Sequence, residues 1–186
     1  MSSTRAATIR EAARPLSAAD FPGTIRSHFP YWDVQFRPFL LDVVTALPVG
    51  QFDFKPLPVM MTARQLVLHL AETERWWVSH IVDGESYEDF VVPAPQASEG
   101  GVATIEAPDT AALLAILARW HVPTQRWLEQ PVGELARTIT HRPAGEAERR
   151  YSLHYILQRV QEHEIHHRAQ LVSYLRLMGV EPPPVF

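Results

Sequence analysis

The sequence predicts an all-α protein, folded as a four-helix bundle with long loops. Four stretches carry apolar residues at helical spacing, over about residues 31–47, 62–82, 109–128 and 152–178. One long segment without periodicity, residues 84–108, separates the second and third of these helices, as in bundles with a crossover connection. At 186 residues and 46% hydrophobic content, the chain can bury the core of one such domain.

Local signals mark where the first two helices begin and end. Pro38 lies inside the first helical stretch, where it either kinks the helix or opens its second half as a first-turn residue. The proline-rich residues 51–61 form an extended connector. The run TARQ at residues 62–65 is a capping box that starts the second helix, and Asp83-Gly84 ends it.

The second half of the chain follows the same logic. Asp109 or Thr110 caps the third helix, which contains Pro123. A short extended piece is predicted at residues 138–140 within an otherwise irregular segment. The last helix runs from about Ser152 until Gly179 and the prolines that follow it.

Composition excludes several function classes. The chain has no cysteine, so disulfides, thiolate metal sites, iron–sulfur clusters and a cysteine nucleophile are excluded. A net charge of -4 without a basic patch argues against nucleic-acid binding, and no apolar run approaches the roughly 20 residues that span a bilayer. We therefore expect a cytoplasmic protein that binds neither nucleic acid nor a membrane. Residues 1–20 are interpreted as a flexible tail and residues 21–186 as a single domain.

The pattern most indicative of chemistry lies in the last predicted helix, at residues 162–167 (EHEIHH). His163 and His167 are one turn apart, so both side chains can face a single cation. At about 100° per residue, His166 falls at the edge of their stripe and His154 on the opposite side. The stripe itself continues with apolar residues above and below the pair: Ile156, Val160, Leu171 and Tyr174.

A further histidine, His69, lies in the middle of the second predicted helix, on a mixed face that we expect to point inward. One histidine from this helix and the pair from the last would make a three-histidine site with open positions, which suits metal-assisted chemistry. Blander interpretations stay open, because a helical histidine pair arises by chance, a single core histidine is commonly only hydrogen-bonded, and the run could be a solvated face. A zincin site is disfavoured: Glu164 follows His163 as in that motif, but after His167 only Glu181 could be a third ligand.

The run HEIHHRAQLVSYLRLMG at residues 163–179 resembles the DinB/YfiT-like superfamily of metal-dependent enzymes, whose usual form has glycine in place of Ala169. The segment LVLHLA at residues 66–71, arriving after a Leu-Pro connector, is similar to the other ligand-bearing helix of that family. The resemblance covers about residues 31–180.

This resemblance implies an up-down-down-up order of helices, a divalent metal held by three histidines and a homodimer. Carried over by position, the ligands are His69, His163 and His167. Zinc or nickel is the expected ion, with iron and manganese as further candidates. Some members of the family are thiol S-transferases that use bacillithiol or mycothiol. Three further residues belong to the motif without being usual ligands: His166, Arg168 and Gln170.

Two function classes stay open. In the first, the protein is a metal-dependent transferase or hydrolase of a small molecule, and the metal activates water or an external low-molecular-weight thiol. In the second, it is a non-catalytic, stress-related bundle whose metal only braces the second and fourth helices. Glu72 and Glu164 are candidates for orienting the imidazoles, and Trp76 and Trp77 either line a substrate pocket or belong to the core.

Overall fold

The computed structural model describes residues 23–86, 107–143 and 145–184. The predicted tail, residues 1–20, and most of the predicted loop, residues 84–108, lie outside the described residues. The α-helices are α1 (Arg37–Thr45), α2 (Ala63–Arg75), α3 (Thr110–Leu128) and α4 (Leu153–Leu177). Short 3-10 helices occur at Ile25–His28, Val49–Gln51 and Val132–Ala136. The predicted all-α four-helix bundle is confirmed.

The first helix begins with a π-helical turn, Trp32–Phe36, that runs directly into α1. Pro38 lies in the first turn of α1, directly after the π-helical turn. Of the two roles considered for this proline, the structure therefore shows that of a first-turn residue in the second half of the helical run. The wider π turn changes which residues face the bundle interior, and a pattern of period 3.6 does not reveal such a change.

The start of α2 carries the predicted capping box. The Thr62 hydroxyl accepts a hydrogen bond from the Gln65 backbone N–H at 3.1 Å, and the Gln65 side chain accepts one from the Thr62 N–H at 2.7 Å. The helix continues beyond Arg75 as a π-helical turn, Trp76–Val82, and ends at Gly84 with φ +77°. The predicted stop at Asp83-Gly84 is confirmed.

We expect the Thr62→Ala variant to lose about 1 kcal/mol of unfolding free energy, because one N–H of the first turn is left without its partner. Urea denaturation followed by circular dichroism measures the loss. Thr45→Ala is the matched control: the Thr45 hydroxyl donates to the Leu41 carbonyl of its own helix at an exposed site, and we expect a change within about 0.5 kcal/mol. Equal losses in both variants would contradict a specific role for the cap.

The second half of the chain adds a small hairpin to the bundle. Asp109 caps α3 by accepting from the Ala112 N–H at 2.8 Å, and Pro123 lies inside that helix. The predicted extended piece is strand β1 (Thr138–His141), paired antiparallel with β2 (Arg149–Ser152), a partner that the sequence did not indicate. Ser152 then caps α4.

Contacts made by the helices and by residues just beyond their ends show in which direction each helix runs. These contacts are Trp32–Glu164 and Phe36–Arg168, Met61–Tyr174 and Trp77–Tyr151, and Arg64–Ala107 and Asp83–Trp127. From Trp32–Glu164 to Phe36–Arg168 both residue numbers rise, so α1 and α4 are parallel. From Met61–Tyr174 to Trp77–Tyr151 one number rises while the other falls, so α2 and α4 are antiparallel. From Arg64–Ala107 to Asp83–Trp127 both numbers rise again, so α2 and α3 are parallel. The order is up-down-down-up, as the family resemblance implied.

The largest apolar cluster is shared by all four helices. It includes Leu40 of α1, Leu66 of α2, Leu117 of α3 and Leu171 of α4, each at most 2% exposed. A second cluster surrounds Trp32, near the start of α1 and the first half of α4. Among the described residues, no helix is long and apolar enough to cross a membrane.

Candidate metal centre

Three histidines from α2 and α4 meet in the middle of these two helices. Because the helices are antiparallel, His69 lies level with His163 and His167. The Nε2 atom of His163 is 3.0 Å from Nε2 of His69 and 2.9 Å from Nε2 of His167. One ring nitrogen from each histidine lies within 4.8 Å of the others. The structure thus brings together all three predicted ligands.

The electrostatic surroundings keep these histidines uncharged. All three side chains are half-buried. Burial, and next the neighbouring His167, lower the pKa of His69 from 6.5 to about 4 and that of His163 to about 3. Burial also lowers the pKa of His167, although its hydrogen bond with Gln170 opposes the shift. Neutral imidazoles are the form that binds a metal ion.

Gln170 fixes the proton on His167. An amide oxygen can only accept, so the 2.7 Å contact between His167 Nδ1 and Gln170 Oε1 places the N–H on Nδ1. The lone pair of His167 is therefore on Nε2, which faces His163. The Gln170 amide nitrogen in turn donates to His166 Nε2 at 3.1 Å. His166 is exposed and lies beside the cluster, as the helical arithmetic predicted, and contacts it through Gln170.

The Glu164 carboxylate, one of the two considered for orienting the imidazoles, is instead held by residues of the first helical segment. Its side chain is 3% exposed and points into the bundle, where Oε2 accepts from Trp32 Nε1 at 3.2 Å and lies 3.4 Å from Arg37 Nη1. Burial raises the pKa of this carboxyl, and Arg37 offsets the shift only in part. The cause is helix geometry: successive residues are rotated by about 100° about the helix axis, so Glu164 lies on a different face from His163, the one that points into the bundle.

Glu72, the other carboxylate considered, follows His69 by three residues and is 7% exposed. Burial raises its pKa from 4.5 to about 7. Within the described part of the chain, no hydrogen bond joins it to the three histidines, and the orienting contact comes from Gln170 instead.

Trp76 and Trp77 are partly buried and pack against the core, as the second of the two interpretations considered for them expected. Their rings meet edge to face at 4.7 Å. Trp76 follows His69 by two helical turns on the same side of the helix and also contacts the ring of His141 from the hairpin at 5.7 Å.

A buried charge network lies in the bundle interior, and sequence reasoning missed it. Arg37 of α1 forms an ion pair with Glu74 of α2. The second carboxylate oxygen of Glu74 accepts from Thr124 and contacts His121 Nδ1 of α3, both at 2.6 Å. His121 Nε2 contacts Asp33 at 2.9 Å. The signal was present, because Arg37, Glu74 and His121 each occupy an apolar-spaced position of their helix.

Each member of this network favours the charged form of the next. Burial opposes ionisation of Glu74, yet Arg37 and His121 lower its pKa from 4.5 to about 2. Burial likewise opposes the imidazolium of His121, and Glu74 together with Asp33 raises its pKa from 6.5 to about 9. His121 is therefore a cation at neutral pH, unlike the three clustered histidines.

The histidine cluster fits a divalent metal ion. Nitrogen atoms bound to one ion at about 2.0–2.1 Å lie roughly 3 Å apart, which matches the spacing of the two Nε2 pairs. Each neutral imidazole carries a lone pair on one ring nitrogen, and a cation between the three rings can accept all of them. The donor set would leave one or more positions free for water or a substrate.

The comparisons with known proteins agree with the family resemblance and with the fold. The sequence model of the DinB family matches residues 24–186. Among solved structures, the chain is similar to the DinB-like protein YjoA from Bacillus subtilis, with a TM-score of 0.59 and 24% identity, over 86% of this chain and 94% of that one. At that identity the likeness shows the fold alone. No curated protein matches the chain.

Proposed function

This chain belongs to the DinB family, and we propose that His69, His163 and His167 hold a divalent metal ion used for a transferase or hydrolase reaction on a small molecule. The observation that supports the proposal most directly is the convergence of the three histidines: Nε2 of His163 lies 3.0 Å from Nε2 of His69 and 2.9 Å from Nε2 of His167. Zinc or nickel is the proposed ion, with iron and manganese as further candidates, since imidazole suits several transition metals.

When bound, such an ion supplies Lewis acidity that lowers the pKa of a water or thiol in contact with it, so that a nucleophile exists near pH 7. The residues of this chain set the conditions for that chemistry. The three ligands are neutral, so they leave the double positive charge of the ion uncompensated. Gln170 holds His167 in the tautomer that directs Nε2 towards the cluster. Because the chain has no cysteine, a thiol nucleophile must be an external, low-molecular-weight one.

The first experiment is metal analysis of protein purified without a metal-affinity tag. We expect close to one ion per chain, and a rise in melting temperature when zinc or nickel is added to metal-free protein. Protein with only trace metal and no thermal shift with zinc, nickel, iron or manganese would contradict the proposed site.

The second experiment separates catalysis from a structural role. Metal-loaded protein is incubated with a panel of electrophiles, with and without bacillithiol or mycothiol, and with hydrolysable esters and amides. Turnover that depends on both thiol and metal supports a transferase, whereas turnover with metal and water alone supports a hydrolase. Absence of any turnover, together with a metal-free protein that does not fold, would favour the non-catalytic bundle braced by its metal.

The same proposal includes a homodimer and a cytoplasmic location, both on the strength of the family resemblance. Light scattering coupled to gel filtration tests the first, and the mass of a single 21.1 kDa chain would contradict it.

A further inference from the structure

The two histidines of α4 are each followed by a charged residue that is almost fully buried. Glu164 follows His163 and is 3% exposed, and Arg168 follows His167 and is 6% exposed. Charged side chains are almost never this buried unless they are paired or hydrogen-bonded. Both of them contact the segment that contains α1 and its π-helical turn.

Glu164 is held by two donors of that segment. Its Oε2 atom accepts from Trp32 Nε1 at 3.2 Å and lies 3.4 Å from Nη1 of Arg37. The other terminal nitrogen of Arg37, Nη2, donates to Glu74 of α2. A single guanidinium therefore joins α2 and α4, the two helices that carry the histidines. Its planar, forked set of donors can contact two carboxylates at once, which a lysine ammonium on a flexible stem does less well.

Arg168 adds a second contact with α1, one turn further along α4. Its Nη1 atom donates to the backbone carbonyl of Phe36 at 3.3 Å. Its guanidinium also lies over the rings of Phe36 and Phe39, with its central carbon 5.7 Å from each ring centre. A guanidinium over aromatic faces is attracted by the negative face of the ring. The contacts of Glu164 and Arg168 thus define the rotation of α4 about its own axis.

We propose that Arg37, Glu164 and Arg168 are positioning residues for the metal: from the interior side, they fix the rotation of α4 relative to α2, and with it the spacing of the three histidine nitrogens. This inference rests on the proposed metal binding. The histidines lie on one face of the two helices, and these three residues hold the helices from the face turned to α1.

The required accuracy explains why such contacts matter. A histidine nitrogen lies roughly 7 Å from the helix axis, so a rotation of α4 by about 10° moves it by about 1 Å. Metal-site geometry has to be held within about 0.5 Å to work well. The Nε2 atoms of His163 and His69 belong to different helices and are 3.0 Å apart, so such a rotation changes their spacing directly.

The test measures metal affinity in variants that keep all three histidines. Glu164→Gln keeps the shape of the side chain and removes its charge, and Arg168→Met keeps much of the length and removes the donor. We expect each to weaken zinc or nickel binding by about tenfold, in the range found when groups that orient metal ligands are removed. Competition with a chromophoric chelator gives the affinities. The d–d spectrum of the cobalt-loaded protein should also change, because it reports ligand geometry.

Arg37→Met is the strongest variant, and Arg37→Lys is its conservative partner. We expect Arg37→Lys to recover part of the lost affinity, because it restores the charge without the forked geometry. If Arg37→Met does not fold, the Glu164 and Arg168 variants decide the matter alone.

The matched control is Leu40→Ala, which removes a fully buried apolar side chain of α1 and leaves the polar contacts of Glu164 and Arg168 in place. We expect this variant to melt at lower temperature and yet to bind metal within about twofold of the parent. Two results would overturn the inference: parental affinity and cobalt spectrum in the charged-residue variants, or an equal loss of affinity in Leu40→Ala. If the parent protein binds no metal, the proposed function itself fails, which is a distinct outcome.

Discussion

The His163→Ala variant is expected to lose about 100-fold or more of the affinity for zinc or nickel, since removing groups that merely orient a ligand already costs about 10–100-fold. His163 is the central member of the cluster, with its Nε2 atom 3.0 Å from that of His69 and 2.9 Å from that of His167. Without His163, the two remaining imidazoles should bind a metal ion only weakly. Calorimetric titration of metal-free protein and metal content after dialysis measure the effect.

His166→Ala is the control for this prediction. His166 lies in the same turn of α4, but it is exposed, and its contacts with the cluster are an edge-to-face contact with the His167 ring at 4.8 Å and a hydrogen bond from Gln170. We expect binding to be largely retained in this variant. A His163→Ala protein that keeps one tightly bound ion would show that the cluster is not the metal site.

The His163→Ala variant also distinguishes a metal used for chemistry from one that only stabilises the structure. Metal that only joins α2 and α4 contributes its binding free energy to folding, so its loss lowers the melting temperature strongly or prevents folding. Metal used for chemistry predicts that the metal-free parent and His163→Ala both remain folded, and that the variant lacks turnover. The large apolar cluster shared by all four helices favours the second result.

The His121→Gln variant is expected to be less stable than the parent by about 3 kcal/mol at pH 7, because the buried Glu74 loses one of its two cationic partners and keeps only Arg37. His121 is 4% exposed and contacts Glu74 at 2.6 Å and Asp33 at 2.9 Å. For a chain of this length, the loss corresponds to a melting temperature lower by roughly 10 °C. Thermal denaturation by circular dichroism measures it. His154→Gln, at an exposed position, is the control and should change stability by less than about 0.5 kcal/mol.

The stability difference between parent and His121→Gln should depend on pH with a defined sign. Although burial opposes its charge, Glu74 and Asp33 raise the pKa of His121 from 6.5 in the unfolded chain to about 9 in the folded protein. A group with a raised folded pKa contributes stability that is complete below the unfolded value. The difference should therefore be largest below pH 6.5 and decline as the pH rises through about 9. A difference that grows over this range would contradict a charged His121.

The sequence was informative about the histidines because their spacing is local. Two ligands one turn apart need only helical periodicity, and His69 was found from its place in the second helix and from the family resemblance. The partner of Glu164 could not be found in this way. Which face of a helix meets which neighbour depends on the rotation of the helix in the bundle, and the π-helical turn Trp32–Phe36 changes that rotation before α1 begins.

The buried network illustrates a second limit. Arg37, Glu74 and His121 are far apart in the chain, and each alone resembles a polar residue at a tolerated position of an apolar stripe. Only their meeting in three dimensions keeps the buried Glu74 ionised and makes His121 a cation at neutral pH. The second strand of the hairpin was missed for a related reason, since its four residues gain their conformation from pairing with β1.

The position of the histidines along the chain has a consequence for the timing of metal uptake. His69 and His163 are separated by 94 residues, so the cluster does not exist until α4, the last helix, has docked against α2. Closing so long a segment carries an entropic cost that must be met before an ion can contribute. The proposed metal is therefore expected to enter a protein that has already folded. The bound ion should therefore lower the unfolding rate and have little effect on the folding rate.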